Sequence, residues 1–430
     1  MGPLVAPPLP PRGALPGELE RARLANGLEV CLLRNAQAPI VSTAIFYRVG
    51  GRDEPAGRGG LAHFLEHMMF KGSARFAPGE VDRRTQALGG TNNAFTSHDV
   101  TAYWFAFAAD RWNAALEIEA DRMRGLRLDP AEVEAERRVI LEEIDMYRDD
   151  PWDALEMDVL AALFEGHPYG RPVLGSRDEL LAEGRDELAD FHSRHYRPDR
   201  AVLVVAGALD DSALARVEAA FGDLPASGAL RPPASPPPIL TAPRRIERRH
   251  GEVTRIFWAF PAPAPDAPDH AELRLAATIL AEGRASRLQH ELVEEGQLCL
   301  GISATLAENQ LASFFALAAE VLPGGDADEV ERRCAAELAA LALPVGAEEL
   351  ERARQVFLAD WVHGLEKIHQ QAVATGLALT QFDLDQPERL LRRVREASAA
   401  EVAAAVERWL DPGRGVVRGV SRPENGKGGA

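Results

Sequence analysis

Residues 59–72 read G-G-L-A-H-F-L-E-H-M-M-F-K-G, and everything else in the 430-residue chain is best read outward from them. His63 and His67 are four apart, so on a helix their rings leave one face a turn apart. That spacing suits two imidazoles on a single tetrahedral metal ion. Glu66, three residues after His63, reaches the same region without having to be a ligand. Hydrolysis needs such a carboxylate: a metal lowers the pKa of a water and the carboxylate takes its proton. Leu61, Phe64, Leu65, Met68, Met69 and Phe70 make the segment apolar around most of its circumference, which predicts a buried helix over 59–71. The alternative is a pair of histidines satisfied by core hydrogen bonds. A glutamate on the same buried face argues against it, because buried polar groups need partners.

A third ligand has to come from elsewhere, and residues 134–145, E-A-E-R-R-V-I-L-E-E-I-D, offer candidates on a predicted helix over 131–148. At about 100° per residue, Glu136 and Glu143 share a face with Val139 and Ile140, read as the core side, while Glu142 turns toward solvent. Two core-facing carboxylates call for a cation, and the spacing admits either one; a solvated acidic helix is the competing reading. Asp129-Pro130 starts this helix, with Asp as N-cap and Pro at the first position.

Around these segments the chain alternates strand and helix patterns. Strands are expected at 28–33, 41–49, 101–108 and 201–206, with another helix over 110–126. The run 224–245, L-P-A-S-G-A-L-R-P-P-A-S-P-P-P-I-L-T-A-P-R-R, is too rich in proline for a helix interior or central strand and reads as an extended linker. It separates a half spanning 18–223 from one spanning 246–423; the ends, to about Gly17 and after Arg422, are expected to be disordered. The second half echoes the first, with a strand at 254–260 and a helix at 270–281. Laying Gly283 on Gly72 puts Arg274, Ala277 and Thr278 where the first half has His63, Glu66 and His67.

Composition bounds the function. The 48 basic and 66 acidic residues leave a net charge of -18, which argues against a general nucleic-acid binder. No apolar run approaches the length of a membrane span. Cys31, Cys299 and Cys334 make no disulfide framework, and the N-terminal residues lack the pattern of a secretory signal, so a cytoplasmic location is the expectation.

The order H-x-x-E-H is the inverzincin signature, inverted from the commoner H-E-x-x-H. The chain resembles the pitrilysin/insulinase family of zinc peptidases, in particular the short two-domain branch that includes the mitochondrial processing peptidase subunits. The likeness extends to N-A-F-T at 93–96, E-R-R-V-I-L-E-E at 136–143, H-P-Y-G-R-P-V-L-G-S at 167–176 and H-Y-R-P-D-R-A-V-L-V-V-A-G at 195–207. S-R-L at 286–288 and E-E-L-E-R-A at 348–353 fit more weakly. The resemblance implies an α+β fold of two similar domains, each a mainly antiparallel sheet covered by helices. It implies one Zn2+ per chain held by His63, His67 and Glu143, and Glu66 as the general base. Glu136 would orient a ligand histidine. Asn93, Ala94, Phe95 and Thr96 would form the strand to which an extended peptide adds itself. Structural roles are expected for His167 and His195.

The chain departs from the family in its second half. Active members carry an arginine and, seven residues on, a tyrosine that reach the substrate and the developing oxyanion. The matching stretch here, L-V-E-E-G-Q-L-C-L at 292–300, has Val293 and Leu300 instead, and neither donates a hydrogen bond. Arg287 belongs to the neighbouring S-R-L element. The leading expectation is a zinc endopeptidase subunit acting on peptides in a chamber of four domains, as a heterodimer with a related subunit that supplies Arg and Tyr. A homodimeric processing peptidase and a non-catalytic assembly subunit of the same fold are the alternatives.

Overall fold

The computed structural model describes residues 15, 17–228, 231 and 233–424. The first sheet contains β1 (Glu18–Arg23), β2 (Glu29–Arg34), β3 (Ile40–Tyr47), β4 (Thr91–Thr96), β5 (Thr101–Ala108) and β6 (Ala201–Gly207). Its order is β1-β2-β6-β3-β5-β4, antiparallel except for β2 against β6. The second contains β7 (Arg244–Arg249), β8 (Arg255–Ala262), β9 (Cys299–Ala307), β10 (Ser313–Val321) and β11 (Val417–Arg422). Its order is β7-β11-β8-β10-β9, with β7 and β11 parallel. The fold is α+β with two mainly antiparallel sheets, as expected.

The helices that matter for the site are α1 (Leu61–Met68), α2 (Glu80–Ala87), α3 (Asn113–Arg124), α4 (Pro130–Asp149) and α5 (Pro151–Leu163). Asp129 caps α4 through its side chain, with Pro130 at the first position. The first sheet buries one face against α1, α3 and α4, with Leu203 and Val205 of β6 in that core. Val202, Val204 and Ala206 point the other way, so β6 is buried on both faces, which is why it reads as a continuous apolar run.

The cover on that second face comes from the other half of the chain. Helix Ile368–Gln381 places Ala372 and Leu379 against Phe46, Val202 and Val204. In return α5 places Leu155, Val159 and Leu163 against Phe257, Ala259 and Val417 of the second sheet. The two halves therefore exchange a helix, and each completes the other's sheet. Polar contacts reinforce the exchange: Asn35 Nδ2 donates to Gln371 Oε1 at 3.1 Å and Arg48 Nη2 to Leu379 O at 3.2 Å.

The proline-rich run has no helix and, before β7 begins at Arg244, no strand among its described residues; residues 229, 230 and 232 lie outside them. It is pinned rather than loose. Arg231 pairs with Asp53 at 2.6 Å and also donates to Asp99 O at 3.0 Å. Beside it Arg52 pairs with Asp99 at 2.6 Å and donates to Gln310 Oε1 of the second half at 2.7 Å. Of the two ends expected to be disordered, residues 1–14, 16 and 425–430 lie outside the described residues.

One expectation about α4 needs correcting. Val139 is half exposed, not buried with Ile140. The buried residues Val133, Glu136, Arg137, Ile140 and Ile144 centre on an arc at whose edge Glu143 lies, and Val139 is about 40° further round on the open side.

Candidate metal and peptide site

Helix α1 has only eight residues, too few to be stable alone, so its surroundings hold it. Its N-cap is Gly60 in the left-handed conformation (φ 97°), where a Cβ would fall 2.5 Å from Leu174 O. Glu54 supplies the missing cap: its two carboxylate oxygens accept the amides of Gly60 at 3.0 Å and Ala62 at 2.9 Å. Burial pushes the Glu54 carboxyl up to about 8 despite those two bonds.

His63 and His67 leave α1 toward α4, their ring centres 4.6 Å apart. The Glu143 carboxylate faces both, at 3.8 Å from His63 Nε2 and 3.6 Å from His67 Nε2. The three ligand atoms lie within 4.8 Å of one another. Glu136 stands behind His67, its Oε1 at 2.8 Å from Nδ1. Its other oxygen meets Lys71 Nζ at 2.6 Å. Burial alone would raise the Glu136 pKa, but the His67 and Lys71 contacts outweigh it and leave a carboxylate. With that acceptor on Nδ1, the His67 proton sits there and the Nε2 lone pair points at the cluster. Burial, helped by neighbouring His67, depresses the His63 pKa to about 3, so that ring stays neutral and able to ligate.

Glu66 is placed beside the three rather than among them. Its Oε2 accepts the hydroxyl of Thr96, the last residue of β4, and burial raises its pKa. Strand β4 pairs with β5, Asn93 opposite Trp104, and among the described residues no strand pairs with its far edge. The Ala94 amide does not join the ladder but donates to the Asn93 side chain at 2.9 Å. The outward backbone groups of β4 are therefore those of Asn92, Ala94 and Thr96. Phe95, Thr96, His63, Glu66 and Glu143 line one cleft of about 390 Å³.

The structure thus brings together His63, Glu66, His67, Glu136, Glu143 and the β4 residues Asn93 to Thr96. His167 accepts the Tyr169 amide and contacts the linker at Ser235 O, while His195 packs on Phe191; neither lines the cleft. Val293 is partly buried against the second core, and Leu300 is 55% exposed on the edge strand β9, in a second cleft with Trp152 and Glu156. The counterparts of the histidines in the second half have other work: Arg274 pairs with Glu308 at 2.5 Å and Thr278 donates to Glu282 at 2.9 Å. Three contributors escaped the sequence reading. Glu54 had no periodic signal, whereas Lys71 lies four residues after His67 and Tyr147 four after Glu143, spacings that could have flagged both.

Comparison with known proteins shows the family. Residues 29–177 match the family described as insulinase (peptidase family M16), and residues 183–357 match the peptidase M16 inactive domain. An uncharacterised zinc protease of Mycobacterium bovis is 31% identical over 399 residues, 91% of this chain and 90% of that protein. Zinc protease PqqE of Helicobacter pylori is 28% identical over 376 residues, 85% of this chain and 84% of that protein. Among solved structures, a Helicobacter pylori protease matches with a TM-score of 0.90 at 24% identity, over 95% of this chain and 100% of that one. A chain of Complex III2 from Candida albicans matches in fold, with a TM-score of 0.80 at 14% identity over 94% of this chain and 96% of that one. Fold and relatives together define a protein of the zinc-peptidase class. The chain belongs to the insulinase family, peptidase family M16.

Proposed function

We propose that the chain is the metal-bearing subunit of a zinc-dependent endopeptidase that hydrolyses peptides or unfolded segments. One juxtaposition carries the reading: His63 Nε2, His67 Nε2 and the Glu143 carboxylate converge beside Glu66 at the end of an open strand edge. His63, His67 and Glu143 would hold the ion, two imidazole nitrogens and a carboxylate being a donor set that suits Zn2+. When bound, the ion supplies Lewis acidity, polarising the scissile carbonyl and lowering the pKa of the attacking water.

The remaining roles belong to the chain itself. The outward N–H and C=O groups of β4 hold an extended peptide by main-chain hydrogen bonds, a mode that reads backbone rather than sequence. Glu66, fixed by Thr96, takes the proton of the attacking water and returns it to the leaving nitrogen. Its raised pKa serves both transfers. Glu136 and Lys71 hold His67 in one tautomer.

Val293 is partly buried against the second core and Leu300 offers only alkyl atoms, so these two positions bring no Arg–Tyr pair to the substrate. We infer that a related subunit contributes that pair and closes the chamber, with a homodimer as the alternative. The same two residues, together with the fold likeness to a chain of Complex III2, favour a second reading as a non-catalytic assembly subunit. The complete metal set weighs against it, since a scaffold has no use for one. The test is cleavage of a quenched unstructured peptide by the zinc-loaded chain, alone and with the related subunit. Glu66→Gln should lower turnover by at least about 100-fold and keep bound zinc. Wild-type protein that binds zinc and cleaves nothing in either setting would support the assembly role.

A further inference from the structure

The groups lining the metal-site cleft are almost all acceptors. Glu66, Glu143, Asp153 and Glu156 line it with carboxyl oxygens, and the Thr96 hydroxyl already donates its hydrogen bond to Glu66. A carbonyl oxygen that gains negative charge there would meet repulsion from the side chains of this chain, with one exception. Tyr147 lines the same cleft, and its hydroxyl has no hydrogen-bond partner among the described residues.

Its position follows from α4. Four residues after Glu143, it lies one turn on and about 40° round the helix. Helical side chains lean toward the N-terminus, which brings the phenol back over the Glu143 turn. Partial burial and the nearby charges of Glu143 and Asp153 raise its pKa, so the hydroxyl keeps its proton at neutral pH. The family's usual tyrosine position, on β9, is Leu300 here.

We propose that Tyr147 is a catalytic residue whose phenol O–H donates to the scissile carbonyl oxygen as that oxygen becomes negative. The inference rests on the peptidase reading and adds a donor from the metal-bearing chain to whatever a partner brings. The bond changes balance without it: the water oxygen bonds to the carbonyl carbon, its proton passes to Glu66, and the C–N bond breaks as that proton reaches the amine. Tyr147 keeps its own proton throughout and acts by a hydrogen bond that strengthens with the developing charge.

The test uses the full-length, zinc-loaded chain, alone and with the related subunit, as wild type and Tyr147→Phe. A phosphinic peptide, whose tetrahedral anion mimics the charged carbonyl, is compared with the amide peptide of the same sequence, the latter bound to Glu66→Gln backgrounds. Removal of the hydroxyl should leave bound zinc and thermal midpoint unchanged and KM within about twofold, while kcat falls about 100-fold. Affinity for the phosphinic peptide should fall at least about tenfold and that for the amide peptide should not. Unchanged phosphinic affinity and kcat would overturn the assignment, and equal loss for both ligands would make Tyr147 a general substrate contact and overturn it too. Absence of wild-type turnover would instead fail the peptidase reading, and the phosphinic comparison, which needs no turnover, would still decide Tyr147.

Discussion

His67 is held from both sides, Nδ1 by Glu136 and Nε2 facing Glu143, and Glu136 is in turn held by Lys71. A ligand fixed this way loses little freedom when it binds a metal, so the carboxylate behind it contributes to affinity without touching the ion. Glu136→Gln should weaken zinc binding about tenfold or more, read by competition with a chelator. A change of less than about twofold would assign Glu136 a packing role only. His63, Glu66 and His67 were legible in the sequence because their relation is local: three and four residues on a helix fix a shared face. Glu136 against Glu143 was left open by periodicity, since both lie on or near the edge of the same arc and only the packing of α1 on α4 separates their roles. Glu54 was invisible for a different reason. It reaches the first turn of α1 across a loop that folds back, and no spacing rule describes that.

At the scale of elements, the site is a short buried helix set beside a strand with one open edge. Strand β4 spends the backbone groups of Asn93 and Phe95 on β5 and leaves those of Asn92, Ala94 and Thr96 outward. Proline at an outward position removes a donor to the substrate and none from the ladder. Ala94→Pro should therefore raise KM about fivefold to tenfold while the thermal midpoint stays put. Loss of stability with unchanged KM would mean that the edge does not receive the peptide. The sequence marked 93–96 only through family likeness; its alternation is too short and too polar to announce an edge strand. The helix expected over 59–71 is shorter at both ends, because Gly60 turns left-handed before Leu61 and the helix closes at Met68.

At the scale of the molecule, the two halves are interlocked rather than merely linked. Helix Ile368–Gln381 covers the first sheet and α5 covers the second, so each half alone would expose a hydrophobic sheet face. The sequence reading placed no helix at either position, and nothing in spacing says which sheet a helix serves, so the exchange was not legible, although the break between the halves was. Gly376 permits the closest part of that contact: a Cβ there would fall 2.0 Å from the Phe46 ring. Gly376→Ala should destabilise the protein by about 1–3 kcal/mol in chemical denaturation, both halves still unfolding in one transition. An unchanged midpoint would show that the interface yields easily. The polar hub of Arg52, Asp99, Arg231 and Gln310 ties the same interface to the segment that caps α1, so the second half supports the metal site without lending it a ligand. The central claim, that His63, His67 and Glu143 form a zinc site with Glu66 outside it, is tested most directly by zinc content. Metal-stripped wild type, His63→Ala, Glu143→Gln and Glu66→Gln would be titrated with Zn2+ and the bound metal counted. The account predicts about one tight zinc in wild type and Glu66→Gln and its loss in the other two; equal zinc in all four, or none in a folded wild type, would contradict it.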